Sequence, residues 1–564
     1  MKTVIVGGVA GGASAAARLR RLDEDAEIVV LERSGYVSYA NCGLPYFIGG
    51  SIDDPDELTL QTPESLYQRF RIDVRVHNEV LSIDREGKKV RVRDIGSGDE
   101  YDESYDKLVL SPGARPTRPD LPGIDLDRLF TLRTVEDTMA IKGFIDAHHP
   151  RSAVLTGGGF IGLELAENLR DLGMEVTIVQ RPKQLMSPFD RDMASFIHAN
   201  MRKHGVRLAL GRTVEGFEER DGGIDVLIKG EEPIHADMVV MAIGVTPDSG
   251  LAKGCGLETG IKGSIVVDEY MRTSDPDIYA VGDAVQVKHF VTGDDAVISL
   301  AGPANRQGRI VADNICGLES KYAGSLGSSV IKVFDMTAAT TGINMATAQK
   351  SGIDADRVVI SPLNHAGYYP GGKLMTMKVV FEKGTYKILG AQIVGYDGVD
   401  KRIDVLATAI RAGMSALELK ELDLAYAPPY SSAKDPVNMA GFVIDNLARG
   451  VVKQFHIEDV DTLPRDGSVF LLDTRTVTEF SNGHVDGFTN IPVDSLRERI
   501  DEIPRDRPVY IICQSGVRSY IAARVLMAHG IDCYNFSGGY RYYSAVKEDT
   551  CMVESATACG MDKN

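Results

Sequence analysis

Two cysteines lie in short segments whose neighbours can support thiol chemistry. Cys42 lies in Gly-Tyr-Val-Ser-Tyr-Ala-Asn-Cys-Gly-Leu-Pro, residues 35–45. Cys513 begins the segment Cys-Gln-Ser-Gly-Val-Arg, which ends at Arg518. A lone cysteine is often only a small buried hydrophobic residue. The chemistry of each thiol therefore has to be judged from the elements that position it.

The segment around Cys513 predicts a reactive thiol at a strand-to-helix turn. An apolar strand over residues 509–512 leads into it, and a helix is expected from 520 to 529. Loop N–H groups, the helix N-terminus and Arg518 should together lower the pKa of this thiol. Phosphatase loops of the Cys-x5-Arg type are one residue longer, so this spacing favours sulfur over phosphate as substrate. Cys533, Cys551 and Cys559 are expected to be core or tail thiols.

Cys42 follows a strand, a glycine loop and a helix that predict a dinucleotide-binding unit. The loop is Gly-Gly-Val-Ala-Gly-Gly at residues 7–12, and the next strand ends at Glu32. Glycines allow the tight turn and the close helix packing, the helix N-terminus faces a pyrophosphate, and an acid about 20 residues later binds ribose hydroxyls. Val9 replaces the middle glycine of the usual pattern. The predicted contacts are Gly7, Gly8, Gly11, Gly12, Glu32 and Arg33.

A second glycine loop predicts a second dinucleotide in the same chain. It reads Gly-Gly-Gly-Phe-Ile-Gly at residues 157–162, between an apolar strand and a helix. The acid position is occupied by Gln180, and the following Arg181 suits a 2′-phosphate. This leaves NADH and NADPH both open. The predicted contacts are Gly157, Gly159, Ile161, Gly162 and Gln180.

Length and composition limit the classes of protein that need to be considered. A chain of 564 residues is too long for one core and predicts three to five domains. The net charge of −18 argues against nucleic-acid binding. Seven irregularly spaced cysteines favour a reducing, cytoplasmic compartment over a disulfide framework. The glycines near the N-terminus argue against a signal peptide. No apolar run is long enough to cross a membrane, and no metal site is predicted.

Taken in order, these motifs make residues 1 to about 445 resemble the two-dinucleotide flavoprotein disulfide reductases. The resemblance implies FAD on the first loop and NAD(P)H on the second. It also implies that the Asp283 carboxylate contacts the flavin ribityl chain and that Glu164 lies near the nicotinamide. The helix after Leu300 would face the pyrimidine end of the flavin. The remaining contacts that we expect for the cofactors are Ser111, Gly113, Gly244, Gly282, Pro303 and Ala304.

Within this family, the Cys42 segment resembles the branch that has a single redox cysteine. Position 47 is Phe47, where other members carry a resolving cysteine. The closest resemblance is to coenzyme A-disulfide reductases fused to rhodanese, of the NADH-dependent persulfide reductase type. It implies a homodimer in which Tyr368 and Tyr426 act at the partner's site. Coenzyme A, as substrate or bound carrier, is expected to contact Arg18, Arg21, Ser38 and Asn41.

The predicted fold is therefore α/β with two Rossmann-like domains, an α+β dimerisation domain and a C-terminal α/β rhodanese domain. The boundaries are 1–115 with 250–322 for FAD, 116–249 for NAD(P)H, 323–447 for dimerisation, 455–548 for rhodanese and 549–564 for a tail. The expected activity is reduction of persulfides, polysulfides or coenzyme A disulfides. The alternatives are an NADH oxidase or peroxidase that cycles Cys42 through sulfenic acid, and a non-enzymatic redox sensor or sulfur carrier.

Overall fold

The computed structural model describes residues 1–555, which divide into two compact units. The first unit consists of Met1–Pro182 and Gly205–Gly327. The second consists of Lys183–His204 and the chain from Ser328 onward. The segment Lys183–His204 thus belongs to the second unit, although the chain before and after it belongs to the first.

The first unit contains two five-stranded parallel sheets within residues 1–182 and 205–327. Parallel strands are covered on both faces, which explains their continuous aliphatic sequences. In spatial order, the first sheet consists of Ile278–Ala280, Lys107–Leu110, Lys2–Val6, Glu27–Leu31 and Asp73–Arg75. The second consists of Arg207–Leu210, Glu175–Gln180, Ser152–Thr156, Met238–Met241 and Leu129–Thr131. The central strand of each sheet leads into one of the two glycine loops.

Helices and small antiparallel sheets complete the first unit. Its α-helices are Ala10–Leu22, Leu44–Gly49, Pro63–Phe70, Val135–His148, Phe160–Asp171, Gly250–Gly254 and Ala301–Ile315. Its antiparallel three-stranded sheets are Asn78–Asp84 with Lys89–Asp94 and Glu100–Ser104, and Val214–Arg220 with Gly223–Ile228 and Ile234–Ala236. The remaining short strands are Ala114–Pro116, Val245–Pro247, Ile265–Val266, Val285–Lys288 and Asp295–Ala296.

The second unit combines an antiparallel sheet with a parallel one. The antiparallel sheet consists of Ser329–Val333, Met336–Gly342, Ile388–Gly395, Met375–Glu382 and Ala355–Ile360. The parallel sheet consists of Gln454–Phe455, Cys533–Phe536, Val509–Ile512, Phe470–Asp473 and Thr489–Asn490. The α-helices are Arg191–Lys203, Met345–Lys350, Val399–Arg411, Pro436–Ala448, Ile457–Val460, Val477–Ser481, Val517–Ala528 and Gly539–Ser555. This α/β architecture confirms the predicted fold class.

The two sheets of the second unit are joined by direct polar contacts. The Val359 N–H donates to Ser537 Oγ at 2.9 Å. His456 Nε2 lies 2.8 Å from Asp356 Oδ1, and Gln454 Nε2 donates to the other oxygen of the same carboxylate at 3.1 Å. The parallel-sheet domain is therefore packed on the antiparallel one and does not move freely on a linker.

One helix that the sequence assigned to the NAD(P)H segment, residues 116–249, packs in the second unit. This inserted helix, Arg191–Lys203, contacts the last helix, Gly539–Ser555. Asp549 of the last helix is buried and accepts hydrogen bonds from His198 Nδ1 at 2.9 Å and Arg202 Nη1 at 2.6 Å. The predicted tail, 549–564, therefore begins within a packed helix. Cys559 lies outside the described residues.

Replacing Asp549 should loosen the last helix. Burial opposes its ionisation, but His198 and Arg202 outweigh burial and lower the Asp549 pKa from 3.8 to about 2. The resulting stabilisation is present above about pH 4 and is lost as the pH falls toward 2. We expect Asp549→Ala to cost about 2–3 kcal/mol, because it leaves the buried His198 and the half-buried Arg202 without this partner. Thermal unfolding at pH 7 measures this loss.

The neighbouring carboxylate provides the control for that experiment. Glu548 is exposed, and surface substitutions usually change stability by less than about 0.5 kcal/mol. Equal destabilisation by Glu548→Ala and Asp549→Ala would contradict the assigned contact.

None of the helices within residues 1–555 combines the length and the apolar content that a membrane span requires.

Candidate active site

The segment that carries Cys42 is hydrogen-bonded to the first glycine loop through Ser38. Cys42 occupies a 3₁₀ turn, Asn41–Gly43, that leads into the helix Leu44–Gly49. The preceding segment is fixed by the Ser38 N–H, which donates to the carbonyl of Gly8 at 2.8 Å. Ser38 itself has a φ of 50°, an uncommon conformation for a residue other than glycine. The thiol remains exposed, so a substrate can reach it.

Although Cys42 is exposed, partial desolvation of its sulfur and two nearby carboxylates oppose formation of its thiolate. Burial raises the pKa of the thiol, the charges of Glu164 and Asp283 raise it further, and Arg133 lowers it. Burial, with a contribution from Glu167, also raises the pKa of Glu164 to about 7. Glu164 can therefore hold or release a proton near neutral pH, within electrostatic range of the thiol.

Glu164→Gln should make Cys42 more reactive toward alkylating agents. Removal of the charge lowers the thiol pKa, so the thiolate fraction at pH 8 rises, by about two- to threefold. The rate of iodoacetamide incorporation into the Cys42 peptide, followed by mass spectrometry, measures this. Glu175→Gln removes an exposed charge elsewhere and serves as the control. An unchanged rate in Glu164→Gln would show that the two groups are not coupled.

The first glycine loop has the geometry that a dinucleotide requires. Gly7 has a φ of +95°, and a Cβ on Gly12 would lie 1.9 Å from the carbonyl oxygen of Gly7. The Gly8 N–H donates to Glu32 Oε2 at 2.9 Å, so the acid lies beside the loop. Arg33 is partly exposed and pairs with Asp248 at 3.1 Å. The glycines are thus required by the backbone, and the Glu32 carboxylate is held against the loop.

The second glycine loop repeats this arrangement with an amide in place of the acid. Gly157 has a φ of +115°, and a Cβ on Gly162 would lie 2.1 Å from the carbonyl oxygen of Gly157. The Gly158 N–H donates to Gln180 Oε1 at 3.1 Å. A Cβ on Gly159 would meet no atom within 4 Å. The protein therefore leaves space at this helix N-terminus, which fits a phosphate group of NAD(P)H.

Asp283 is held by an arginine that the sequence analysis did not identify. Arg133 Nη2 lies 2.6 Å from Asp283 Oδ2. The adjacent Gly282 N–H donates to Gln307 Oε1 at 2.7 Å, on the helix Ala301–Ile315. Pro303 and Ala304 are buried in the first turns of the same helix. Of the other predicted contacts, Ile161 and Asn41 are half-buried. Three more follow the ends of strands: Ser111, Gly113 and Gly244. No local spacing marked Arg133, because its partner lies 150 positions away.

The basic residues of the first helix differ in their availability for a phosphate. Arg20 is buried and donates to backbone carbonyls, including those of Phe70 and Ala26 at 2.7 Å each. Arg18 pairs with Asp313 at 2.8 Å. Arg21 is exposed. Arg21 is therefore accessible to a coenzyme A phosphate, whereas a phosphate bound to Arg18 would compete with the Asp313 carboxylate.

The structure brings the two predicted tyrosines together in the second unit. Their hydroxyl oxygens, on Tyr368 and Tyr426, are 2.6 Å apart. Both side chains are exposed, at 76% and 45% of their surface. The hydrogen bond between the two hydroxyls raises the pKa of Tyr368. The pair thus presents two coupled hydroxyls on the surface of the unit.

Cys513 is buried in a loop whose polar groups point at its sulfur. The Gly516 N–H and the Ser519 hydroxyl each donate to Sγ at 3.1 Å. Arg518 instead forms a two-point ion pair with Glu479, at 2.7 Å for each bond, which lowers the Glu479 pKa to about 2. Ser519 and Glu479 were not identified from the sequence. The direct stabilisation of a charged sulfur here comes from the loop N–H and a hydroxyl.

Three protein families match successive parts of the chain. The pyridine nucleotide-disulphide oxidoreductase family matches residues 1–308. The chain belongs to this family. The dimerisation domain of the same family matches residues 328–436, and a rhodanese-like domain matches residues 456–545. The family uses FAD and NAD(P)H, and the two glycine loops fit these cofactors.

The similar proteins include reductases with and without a rhodanese. A coenzyme A disulfide reductase from Staphylococcus aureus is 36% identical over 443 residues, 78% of this chain and 99% of that protein. The structure of reduced Bacillus anthracis CoADR-RHD has a TM-score of 0.95 and 48% identity, covering 97% of this chain and 98% of that one. A NAD-dependent persulfide reductase from A. fulgidus has a TM-score of 0.90 and 38% identity, covering 96% and 100%. These matches confirm the resemblance stated from the motifs.

Proposed function

We propose that this family member uses NAD(P)H to reduce coenzyme A disulfides, coenzyme A persulfides or polysulfides at Cys42. The observation that carries the proposal is the exposed Cys42 thiol, in a segment hydrogen-bonded to the first dinucleotide loop, in a chain that also contains a rhodanese-like domain around Cys513. Similar proteins are named coenzyme A disulfide reductase and NAD-dependent persulfide reductase. Rhodanese chemistry and disulfide reduction share the sulfur–sulfur bond as their substrate.

Cys42 can complete this reaction without a second cysteine. Its thiolate attacks coenzyme A disulfide, forms a mixed disulfide and releases one coenzyme A thiolate. With coenzyme A persulfide, the same mixed disulfide forms and hydrosulfide leaves. FAD, when bound, supplies the two-electron chemistry that couples NAD(P)H oxidation to cleavage of a sulfur–sulfur bond. Phe47 stands where a resolving cysteine would be, so a small thiol must be the partner.

Individual residues contribute binding, orientation and proton transfer. Glu32 and Asp283 would hold the ribose and ribityl hydroxyls of FAD, with Arg133 orienting Asp283. Glu164, with its pKa of about 7, would hold a proton near Cys42. Arg21 and Arg18 would bind a coenzyme A phosphate, since guanidinium groups pair with phosphate through two parallel hydrogen bonds.

A screen of electron acceptors tests the proposed function. The holoenzyme is given NADH or NADPH without oxygen, and then oxygen, peroxide, coenzyme A disulfide, polysulfide or coenzyme A persulfide. We expect the sulfur acceptors to be reduced faster than oxygen or peroxide. The rhodanese domain has no role in an oxidase or peroxidase cycle, which argues against that alternative. Preference for oxygen or peroxide would overturn the proposal, and absence of all turnover would favour a sensor or carrier.

We also propose that the active form is a homodimer with shared sites. The match to a dimerisation domain supports dimerisation. Tyr369, Tyr430 and Phe442 are exposed, in addition to Tyr368 and Tyr426. Exposed aromatic residues concentrated in one domain are typical of an interaction surface. The tyrosine pair would then orient substrate at Cys42 of the partner subunit.

Mixed dimers test whether the sites are shared. One subunit carries Cys42→Ser and the other Tyr426→Phe, each inactive as a homodimer. If each site combines Cys42 of one subunit with Tyr426 of its partner, the mixed dimer keeps one intact site of two and about half of the wild-type rate. Affinity tags on the two subunits isolate the mixed dimer. No activity in a purified mixed dimer would mean that both residues act within one subunit.

A further inference from the structure

The second unit contains a cavity to which the proposed reaction assigns no role. Its volume is about 140 Å³. The inserted helix contributes Phe196, Asn200 and Lys203, the antiparallel sheet contributes Met336 and Val394, and the last helix contributes Arg541. The walls are thus mainly apolar, with two basic groups and one amide among them. An engineered cavity of about 150 Å³ holds benzene, so this space suits a molecule of that size.

Arg541 is a partly buried guanidinium without a counter-charge. Its Nη1 is enclosed by protein and has no hydrogen-bond partner within residues 1–555, so the rest of the side chain is what lines the cavity. Other buried or half-buried arginines of the unit have one, since Arg402 pairs with Asp435 and Arg475 with Asp473. Burial lowers the pKa of Arg541. An unpaired charge removed from water is unfavourable, and this points to an anion that the chain itself does not supply.

Two further features of the cavity favour an organic anion. Asn200 is 2% exposed, and its Oδ1 also lacks a donor within the described residues, while its Nδ2 donates to the Val333 carbonyl at 2.8 Å. Lys203 and Lys373 lie 5.9 and 5.7 Å from the ring of Tyr396, and because Lys203 is paired with Asp335 at 3.0 Å, the added positive potential comes from Lys373. An inorganic anion would neutralise the charge of Arg541 but would leave the apolar lining of the cavity in contact with water.

We propose that this cavity binds a small organic carboxylate, with its charge on Arg541 and its apolar body against Phe196, Met336 and Val394. The occupant would have about six to ten non-hydrogen atoms, from the cavity volume. This site does not depend on the reaction at Cys42.

Occupancy of the cavity would also reach the rhodanese loop. The backbone N–H of Arg541 donates to the Gln514 carbonyl at 3.2 Å, and the backbone N–H of the neighbouring Tyr540 donates to the Cys513 carbonyl at 2.7 Å. A ligand that fixes Arg541 therefore restrains the backbone beside Cys513. We expect slower alkylation of Cys513 when the cavity is occupied, about twofold or more, because the loop opens less often.

Binding to the full-length holoenzyme tests the proposal with benzoate as the probe. Isothermal titration calorimetry should give saturable binding that weakens at least about tenfold in Arg541→Gln, since one charged contact is lost. Benzamide has the same shape without the charge, and inorganic phosphate has the charge without the apolar body, so both should bind more weakly. Arg497→Gln removes an exposed arginine of the same unit and should leave benzoate binding unchanged.

Crystals soaked in 4-bromobenzoate locate the ligand independently of any variant. Anomalous scattering from bromine inside the cavity, with the carboxylate on Arg541, would support the site even if Arg541→Gln folds poorly. Three results would overturn the proposal: no carboxylate binding by the wild-type enzyme at millimolar concentration, equal benzoate affinity in Arg541→Gln, or bromine found only elsewhere. Phosphate binding as tight as that of benzoate would refute the organic character of the ligand.

Discussion

Cys42→Ser should retain FAD and its reduction by NADH but lose turnover with coenzyme A disulfide by about a thousandfold or more. A serine hydroxyl cannot form the mixed disulfide, and a thousandfold loss corresponds to about 4 kcal/mol of barrier. The glycine loops, Glu32 and Asp283 do not involve the thiol, so cofactor binding should persist. Flavin absorbance under anaerobic NADH measures the first property, and steady-state release of thiol measures the second.

Cys551→Ser is the matched control for this variant. Within residues 1–555, Cys42 and Cys551 are the two exposed cysteines. If removal of any exposed thiol lowered activity, the two variants would lose activity equally. We expect Cys551→Ser to reduce coenzyme A disulfide at the wild-type rate. Disulfide reduction by Cys42→Ser at the wild-type rate would remove Cys42 from the mechanism.

Cys513→Ser should separate the two sulfur activities of the chain. We expect it to spare reduction of coenzyme A disulfide, which reacts directly at Cys42. It should lower NADH oxidation that depends on thiosulfate and coenzyme A by about a hundredfold or more, because the persulfide-forming thiol is lost. Both rates are measured on one preparation with matched FAD content.

The expected transfer balances in three steps. The Cys513 thiolate takes the sulfane sulfur of thiosulfate and releases sulfite. Coenzyme A thiolate then takes that sulfur and frees Cys513. The coenzyme A persulfide reacts at Cys42 to give the mixed disulfide and hydrosulfide. If Cys513→Ser lowers neither rate, the rhodanese domain serves a different reaction.

Local geometry explains which parts of the fold the sequence predicts. The two glycine loops can be predicted from the sequence because their geometry requires glycine. A side chain at Gly12 or Gly162 would collide with the carbonyl oxygen of Gly7 or Gly157, respectively. The Cys513 loop is readable for a similar reason, since strand, turn and helix are contiguous in the chain. The inserted helix is different. Its packing on the last helix depends on Asp549, about 350 positions from His198, and no local pattern encodes such a pair.

The candidate site divides in the same way. Cys42, Glu32 and Gln180 follow from motif positions, and the structure places the two latter side chains against their loops. Arg133 and Glu479 were missed because each acts through a partner that is distant in sequence, Asp283 and Arg518. The sequence also predicted Arg18 as a ligand of a coenzyme A phosphate, and its ion pair with Asp313 could be seen only in the structure.

The claim that Cys42 forms the mixed disulfide is tested by identifying the sulfur atom that carries coenzyme A during the reaction. The holoenzyme is reduced with NADH, separated from excess NADH, mixed with one equivalent of coenzyme A disulfide, and quenched with acid after a series of reaction times. Peptide mass spectrometry should find coenzyme A on Cys42, with one coenzyme A thiol released per adduct. An adduct on Cys513 or Cys551, or disulfide reduction with no adduct on Cys42 at any quench time, would contradict the account.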